Sequence, residues 1–250
     1  MSTTVPPMPQ EAAPGLSEPQ RIVNTFIAPS KTFADIRRNA SWWVPWLIGA
    51  VFVTSTLLLF NKKVDLESMV REQIAARSGP AFESLSKEQQ AQQVAFGMRI
   101  ARITPYLLPV GGLIFGLIIA VILMAAFNFI HEAAVPYGRS LAIFFYAGLP
   151  TIISLILTMI TLAVGTNIED RNPRNLVATN PAYFMDYHTS KFLYGMVESL
   201  DVITIWVIVL VGTGFKINSA KPKLSMGASI GTVASLYLVW RLIASSLGWV

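Results

Sequence analysis

Five long apolar runs dominate this chain, at residues 42–60, 105–130, 140–164, 196–215 and 224–247. A helix rises about 1.5 Å per residue, so the hydrocarbon core of a bilayer, roughly 30 Å thick, takes about 20 residues to cross. Each run is near or above that length. No water reaches the hydrocarbon to satisfy peptide groups, and a helix answers by keeping its backbone hydrogen bonds internal. The runs therefore predict an all-α, polytopic integral membrane protein with five transmembrane helices.

Composition narrows the class further. Apolar residues make up 53% of the chain and charged residues 13%, with a net charge of +5. The basic residues flank the apolar runs and form no stripe with interleaved aromatics, which points to lipid headgroups and away from nucleic acid. Cysteine is absent, which excludes disulfides, thiolate metal sites and cysteine nucleophiles.

Between and before the runs lie segments of other character. Residues 1–20, MSTTVPPMPQEAAPGLSEPQ, lack the basic start and apolar core of a signal peptide and predict a disordered tail. Residues 21–41 predict a short amphipathic helix on the membrane surface. Thr32 and Asp35 have capping-box spacing, Phe33 and Ile36 form an apolar edge, and Arg37 and Arg38 give a basic end. Trp42, Trp43 and Trp46 follow as interfacial anchors, because indole favours the headgroup level. Residues 42–250 form the membrane domain, with residues 61–102 as a polar helical insert. In it Leu66, Met69, Val70 and Ile74 recur at helical spacing, and Ser86 with Gln89 marks a second helix start. That second helix is expected to run through Met98 and Ile103 into the membrane and to bend near Pro105 and Pro109. Lys216, Lys221 and Lys223 in the turn KINSAKPK, with Arg37 and Arg38, place the N-terminus on the cytoplasmic side and the C-terminus outside.

Three stretches carry a family resemblance: FIAPSKTFADIRRNASWWVPW before the first run, YGRSLAIFFYAGLP across the second hairpin, and LDVITIWVIVLVGTG in the fourth run. Together they resemble the Yip family of five-span membrane proteins in its bacterial form, over roughly residues 22–247. The resemblance implies a non-enzymatic role in the bacterial cytoplasmic membrane. Eukaryotic Yip members associate with Rab-type GTPases and with one another, so a GTPase partner, self-association and other membrane proteins are implied partners beside the bilayer. The polar insert departs from the compact eukaryotic pattern.

The chemically suggestive residues divide into matches that fail and charges that need partners. Gly227, Ser229 and Gly231 fit G-x-S-x-G, but that motif needs a strained strand-to-helix elbow and here opens an apolar helix. The same letters give a G-x-x-x-G spacing for close helix packing, as do Gly112 and Gly116. His131 and Glu132 begin a zinc-protease pattern that stops at Val135. The other histidine, His188, lies near Asp186 in a loop on the opposite membrane face, which argues against a shared metal site. Glu132 is expected to pair with Arg139 or with headgroups across the turn between them. No phosphate loop or dinucleotide fingerprint occurs, so neither catalysis, cofactor nor metal is expected.

Glu198 and Asp201 are the demanding residues. The charge-free part of the fourth run starts only at Val202 and supplies about 21 Å, so the span has to include Asp201 and reach toward Glu198. Arg241, the only basic residue inside the fifth run, lies at about the same depth counted from the lysine-rich turn. An intramembrane ion pair of Arg241 with Glu198 and Asp201 is expected to fix the fourth span against the fifth. The function that follows is organisation of membranes or membrane complexes. The alternative is a small transporter or channel that uses the two carboxylates, although Asn128, Thr158, Thr161 and Thr204 are too scattered to define a path.

Overall fold

The computed structural model describes residues 15–165, 175–186 and 190–247, and among these no strand occurs. In chain order the helices are α1 (Glu18–Ile27), α2 (Pro29–Ile36), α3 (Trp43–Lys63), α4 (Leu66–Ser78), α5 (Pro80–Glu83) and α6 (Lys87–His131). They continue as α7 (Tyr137–Ala147), α8 (Thr151–Val164), α9 (Lys191–Glu198), α10 (Val202–Asn218) and α11 (Met226–Ser246), with a 3₁₀ turn at Pro181–Phe184. Helices α3, α6, α7 with α8, and α11 are each long and apolar enough to cross a bilayer. Helices α9 and α10 reach that standard only as a pair, bent by 56° at the break between them.

The fourth apolar run is therefore divided, a correction to the unbroken helix expected over residues 196–215. The cause is local. Asp201 adopts extended backbone, and its Oδ1 accepts the N–H of Thr204 at 2.8 Å, so it starts a new helix and cannot continue the old one. A milder interruption separates α7 from α8 at residues 148–150, where Pro150 has no N–H to carry the ladder on.

The N-terminal segment also differs from one surface helix. Helix α1 begins at Glu18, inside the segment expected to be disordered, with Ser17 and Gln20 capping each other. Residues 1–14 lie outside the described residues. The residue before Pro29 is pushed out of helical conformation, and α2 restarts after Ala28 at φ −150°. Thr32 is then an interior residue of α2 and not a cap: its hydroxyl, like that of Thr25, donates to the Arg21 carbonyl at 2.8 Å. Phe33 and Ile36 are fully buried against protein, not lipid, in a core with Phe127, Ile143, Tyr146 and Phe215. Phe127 and Phe215 stack at 4.1 Å between centroids, 13° from parallel.

Helix α6 opens on the Ser86–Gln89 capping box and runs for 45 residues, through Pro105 and Pro109, to His131. Each proline removes an N–H and orphans the carbonyl four residues earlier. In hydrocarbon such an orphan needs another donor, and α3 supplies it. Asn61 Nδ2 donates to the Ala101 carbonyl at 3.2 Å, the one Pro105 leaves open, and Thr54 Oγ1 donates to the Pro105 carbonyl at 3.0 Å, the one Pro109 leaves open. Trp46 Nε1 adds a third rung to the Pro109 carbonyl at 3.3 Å. Spacings of eight and seven residues keep Trp46, Thr54 and Asn61 on one face of α3. Thr54→Val is expected to lower stability in detergent by roughly 0.6–2 kcal/mol. In a Pro109→Ala background most of that loss should vanish, because the restored backbone amide serves the same carbonyl. Equal losses in the two backgrounds, measured by thermal unfolding, would refute the replacement.

Close packing falls on glycines other than most of those expected. A Cβ on Gly116 would come within 2.6 Å of the Phe145 ring, so this one does admit a neighbouring helix. At Gly112, Gly227 and Gly231 a Cβ would meet nothing within 4 Å, so these three stand open and admit no other described helix of the chain. The contact between α10 and α11 instead rests on Gly212, where a Cβ would lie 2.8 Å from the Ile230 Cα. Gly214 similarly admits Ile143 and Phe33.

Candidate functional site

Two polar constellations stand out against this apolar frame, one between α9 and α11 and one where several helix ends meet. In the first, Arg241 Nη2 lies 2.8 Å from Glu198 Oε2 and also donates to the Gly195 carbonyl. Gly195 belongs to the last turn of α9, where the helix dipole is negative, and its carbonyl takes the Arg241 bond in addition to the Ser199 N–H at 3.2 Å. Arg241 thus closes one half-helix from the neighbouring span. Asp201 does not share this pair; its carboxylate opens the other half-helix. The break is stabilised by two separate devices, one on each side of residues 199–201. Around it, the amide of Val202 donates to the Thr179 carbonyl at 3.1 Å, and Asn175, Asn180 and Tyr194 form a buried polar knot that holds the preceding loop on α9.

In the second constellation, the α6–α7 turn is fixed by Asn128, which donates to the Val135 carbonyl at 3.0 Å and accepts the Val135 N–H at 2.9 Å. Glu132 and Ala134 sit there at φ 50° and 52°, the left-handed region that side chains disfavour. The α10–α11 turn docks alongside: the Ala220 amide donates to the Ala133 carbonyl at 2.8 Å, and Lys221 Nζ lies 2.5 Å from Glu132 Oε2. The Lys221 ammonium bonds to the Glu132 carboxyl and holds it below the usual carboxylate range. Arg139, expected opposite Glu132, turns the other way and donates to the Arg37 carbonyl at 3.0 Å. Arg37 in turn donates to the Ile217 carbonyl, and Asn218 Nδ2 bonds the Phe33 carbonyl at 2.9 Å. The ends of α2, α7 and α10 are thereby tied into one basic platform.

The remaining expected residues take structural places. Ser229, the serine of G-x-S-x-G, is fully buried and donates to the Gly212 carbonyl at 2.6 Å across α10 and α11. His131 Nε2 meets Thr232 Oγ1 at 2.7 Å, while His188 lies outside the described residues. Of the three tryptophans only Trp43 is exposed; Trp42 stacks on Phe145 at 5.5 Å, and Trp46 serves α6. Sequence reasoning missed a buried charge cluster at α1. Arg21 is 1% exposed, lies 2.6 Å from Asp35 Oδ2, and shares Glu18 with the Tyr146 hydroxyl. Its sequence signal was an arginine on the apolar edge of the segment that continues through Phe33 and Ile36.

Such a bundle, with its polar groups spent on joining helices, defines an all-α polytopic membrane protein. The Yip1 domain model matches residues 23–243, nearly the whole chain. The protein belongs to the Yip1 domain family. No curated protein matches it, and no solved structure does.

Proposed function

We propose that this chain is a non-catalytic organiser of membranes or membrane-protein complexes, spanning the bacterial cytoplasmic membrane five times with its N-terminus inside. The bent α9–α10 pair counts as one span in this reading. The supporting observation is how the polar groups at membrane depth are used. Thr54, Asn61, Ser229 and Arg241 each bond a carbonyl of another helix, which builds a frame and leaves little to line a path. The same frame leaves Gly112, Gly227 and Gly231 uncovered. Small residues on a lipid-facing surface let a further helix come close, so the partner is another membrane helix, from a second copy or a different protein. GTPase association would be a later layer on this assembly.

Purification from native membranes in mild detergent should recover the chain with itself or with other membrane proteins. Gly231→Ile should strip that association while leaving the melting temperature of the isolated chain unchanged, since its side chain meets no neighbour. An association indifferent to Gly231→Ile would refute this face as the contact.

One observation favours transport as a second reading. Broken spans with charged groups at the break are how many transporters build midplane sites, and α9–α10 is broken beside Glu198 and Arg241. Ion flux in liposomes that disappears in Glu198→Gln would put this reading first.

A further inference from the structure

The basic platform surrounds a cleft of about 700 Å³ whose rim carries Arg37, Arg139, Lys216 and Lys221, with Ser219 on its wall. Among the described residues the first three have no carboxylate partner, and Glu132 offsets only Lys221. A convergence of like charges costs free energy unless a counter-charge joins it. The arginines are also held in place beforehand: each spends its Nη2 on a backbone carbonyl. A guanidinium has five N–H donors, so most remain for a ligand. Planar forks of this kind fit the oxygens of phosphate two at a time. Lys216 and Lys221 add mobile point charges.

The location selects among phosphate sources. The cleft lies where α6 and α10 end and α7 and α11 start soon after, so it opens at the level of the membrane headgroups. We propose that it binds the phosphate of an anionic phospholipid headgroup. A soluble phosphate would meet the same donors, but it would lack the acyl chains that the apolar helix faces below the cleft can hold. The binding is independent of whether the protein organises complexes or moves ions.

The test uses the full chain in a neutral detergent, with short-chain phosphatidylglycerol, short-chain phosphatidylcholine and inorganic phosphate as probes. Binding is followed by native mass spectrometry and by the melting temperature. Phosphatidylglycerol should bind saturably and raise the melting temperature, phosphatidylcholine should do neither, and inorganic phosphate should compete only weakly. Lys216→Gln should weaken phosphatidylglycerol roughly fivefold, and Lys216→Glu roughly tenfold or more. Among the described residues Lys216 makes no ion pair, so both variants should fold; Lys223→Gln, outside the cleft, should bind as the unaltered chain does. Inorganic phosphate binding as tightly as the lipid would overturn the lipid source. Equal binding of the two lipids, or affinity indifferent to Lys216→Glu, would overturn the site itself.

Discussion

Arg241→Leu should destabilise the detergent-solubilised protein by roughly 3–5 kcal/mol, because it strands the Glu198 carboxylate without its partner and removes the interhelical bond to the Gly195 carbonyl. Adding Glu198→Gln should recover part of the loss, since neutralising both partners leaves no buried charge. Asp201→Ala should behave differently. It removes an N-cap, costing about 1 kcal/mol, and its effect should add to that of Arg241→Leu, as independent sites do. Thermal unfolding of the single and paired variants decides the matter. Additive losses for Arg241 and Glu198, or strong coupling between Arg241 and Asp201, would contradict the observed geometry.

Gly212→Val should also be severe. A Cβ there meets the Ile230 backbone at 2.8 Å, and its nitrogen at 3.0 Å, so no side-chain rotation relieves the clash. Helices α10 and α11 would have to separate, and with them the Ser229 bond to the Gly212 carbonyl would stretch. Overpacking of this kind costs about 1–3 kcal/mol, and more where backbone has to move. Gly231→Val, on the same α10–α11 region but facing open space, should leave unfolding unchanged. Equal melting temperatures for the two variants would mean that the close approach at Gly212 carries no weight.

These pairs of residues show what was legible from sequence. Fold class depends on the length and apolarity of local runs, which composition displays directly, and the capping box from Ser86 to Gln89 is a four-residue local pattern; the same pattern from Ser17 to Gln20 was overlooked because the surrounding prolines read as a disordered tail. The depth of Arg241 relative to Glu198 followed from counting helical rise outward from the lysine-rich turn. Asp201 was misplaced because that count assumes an unbroken helix. An aspartate three residues before Thr204, ahead of a β-branched run, is itself a helix-start signal, and hydrophobic length outweighed it. The glycines are a different case. A G-x-x-x-G spacing says that two small residues share a face but not which way the face looks, so Gly227 and Gly231 could not be told from Gly212 and Gly214. Contacts such as Asn61 with Ala101, or Asn218 with Phe33, depend on how helices are set side by side and have no local signature. The prolines of α6 did announce missing donors; only the packed bundle shows that α3 replaces them.

The length of α6 has a mechanical consequence. About 39 Å of it, residues 105–130, belongs to the apolar run, and residues 87–104 carry on for about another 27 Å as polar helix. Helix α4 lies back along this extension, with Val70 and Ile74 against Val94 and Met98, and Gly97 lets the Val70 side chain come close. The double thickness resists bending more than one helix alone. The tip at α5 therefore sits at the far end of the polar extension, held about 27 Å of helix away from the apolar part of α6. A sideways pull applied there acts on the membrane segment through a rigid arm, delivered at the two proline rungs shared with α3.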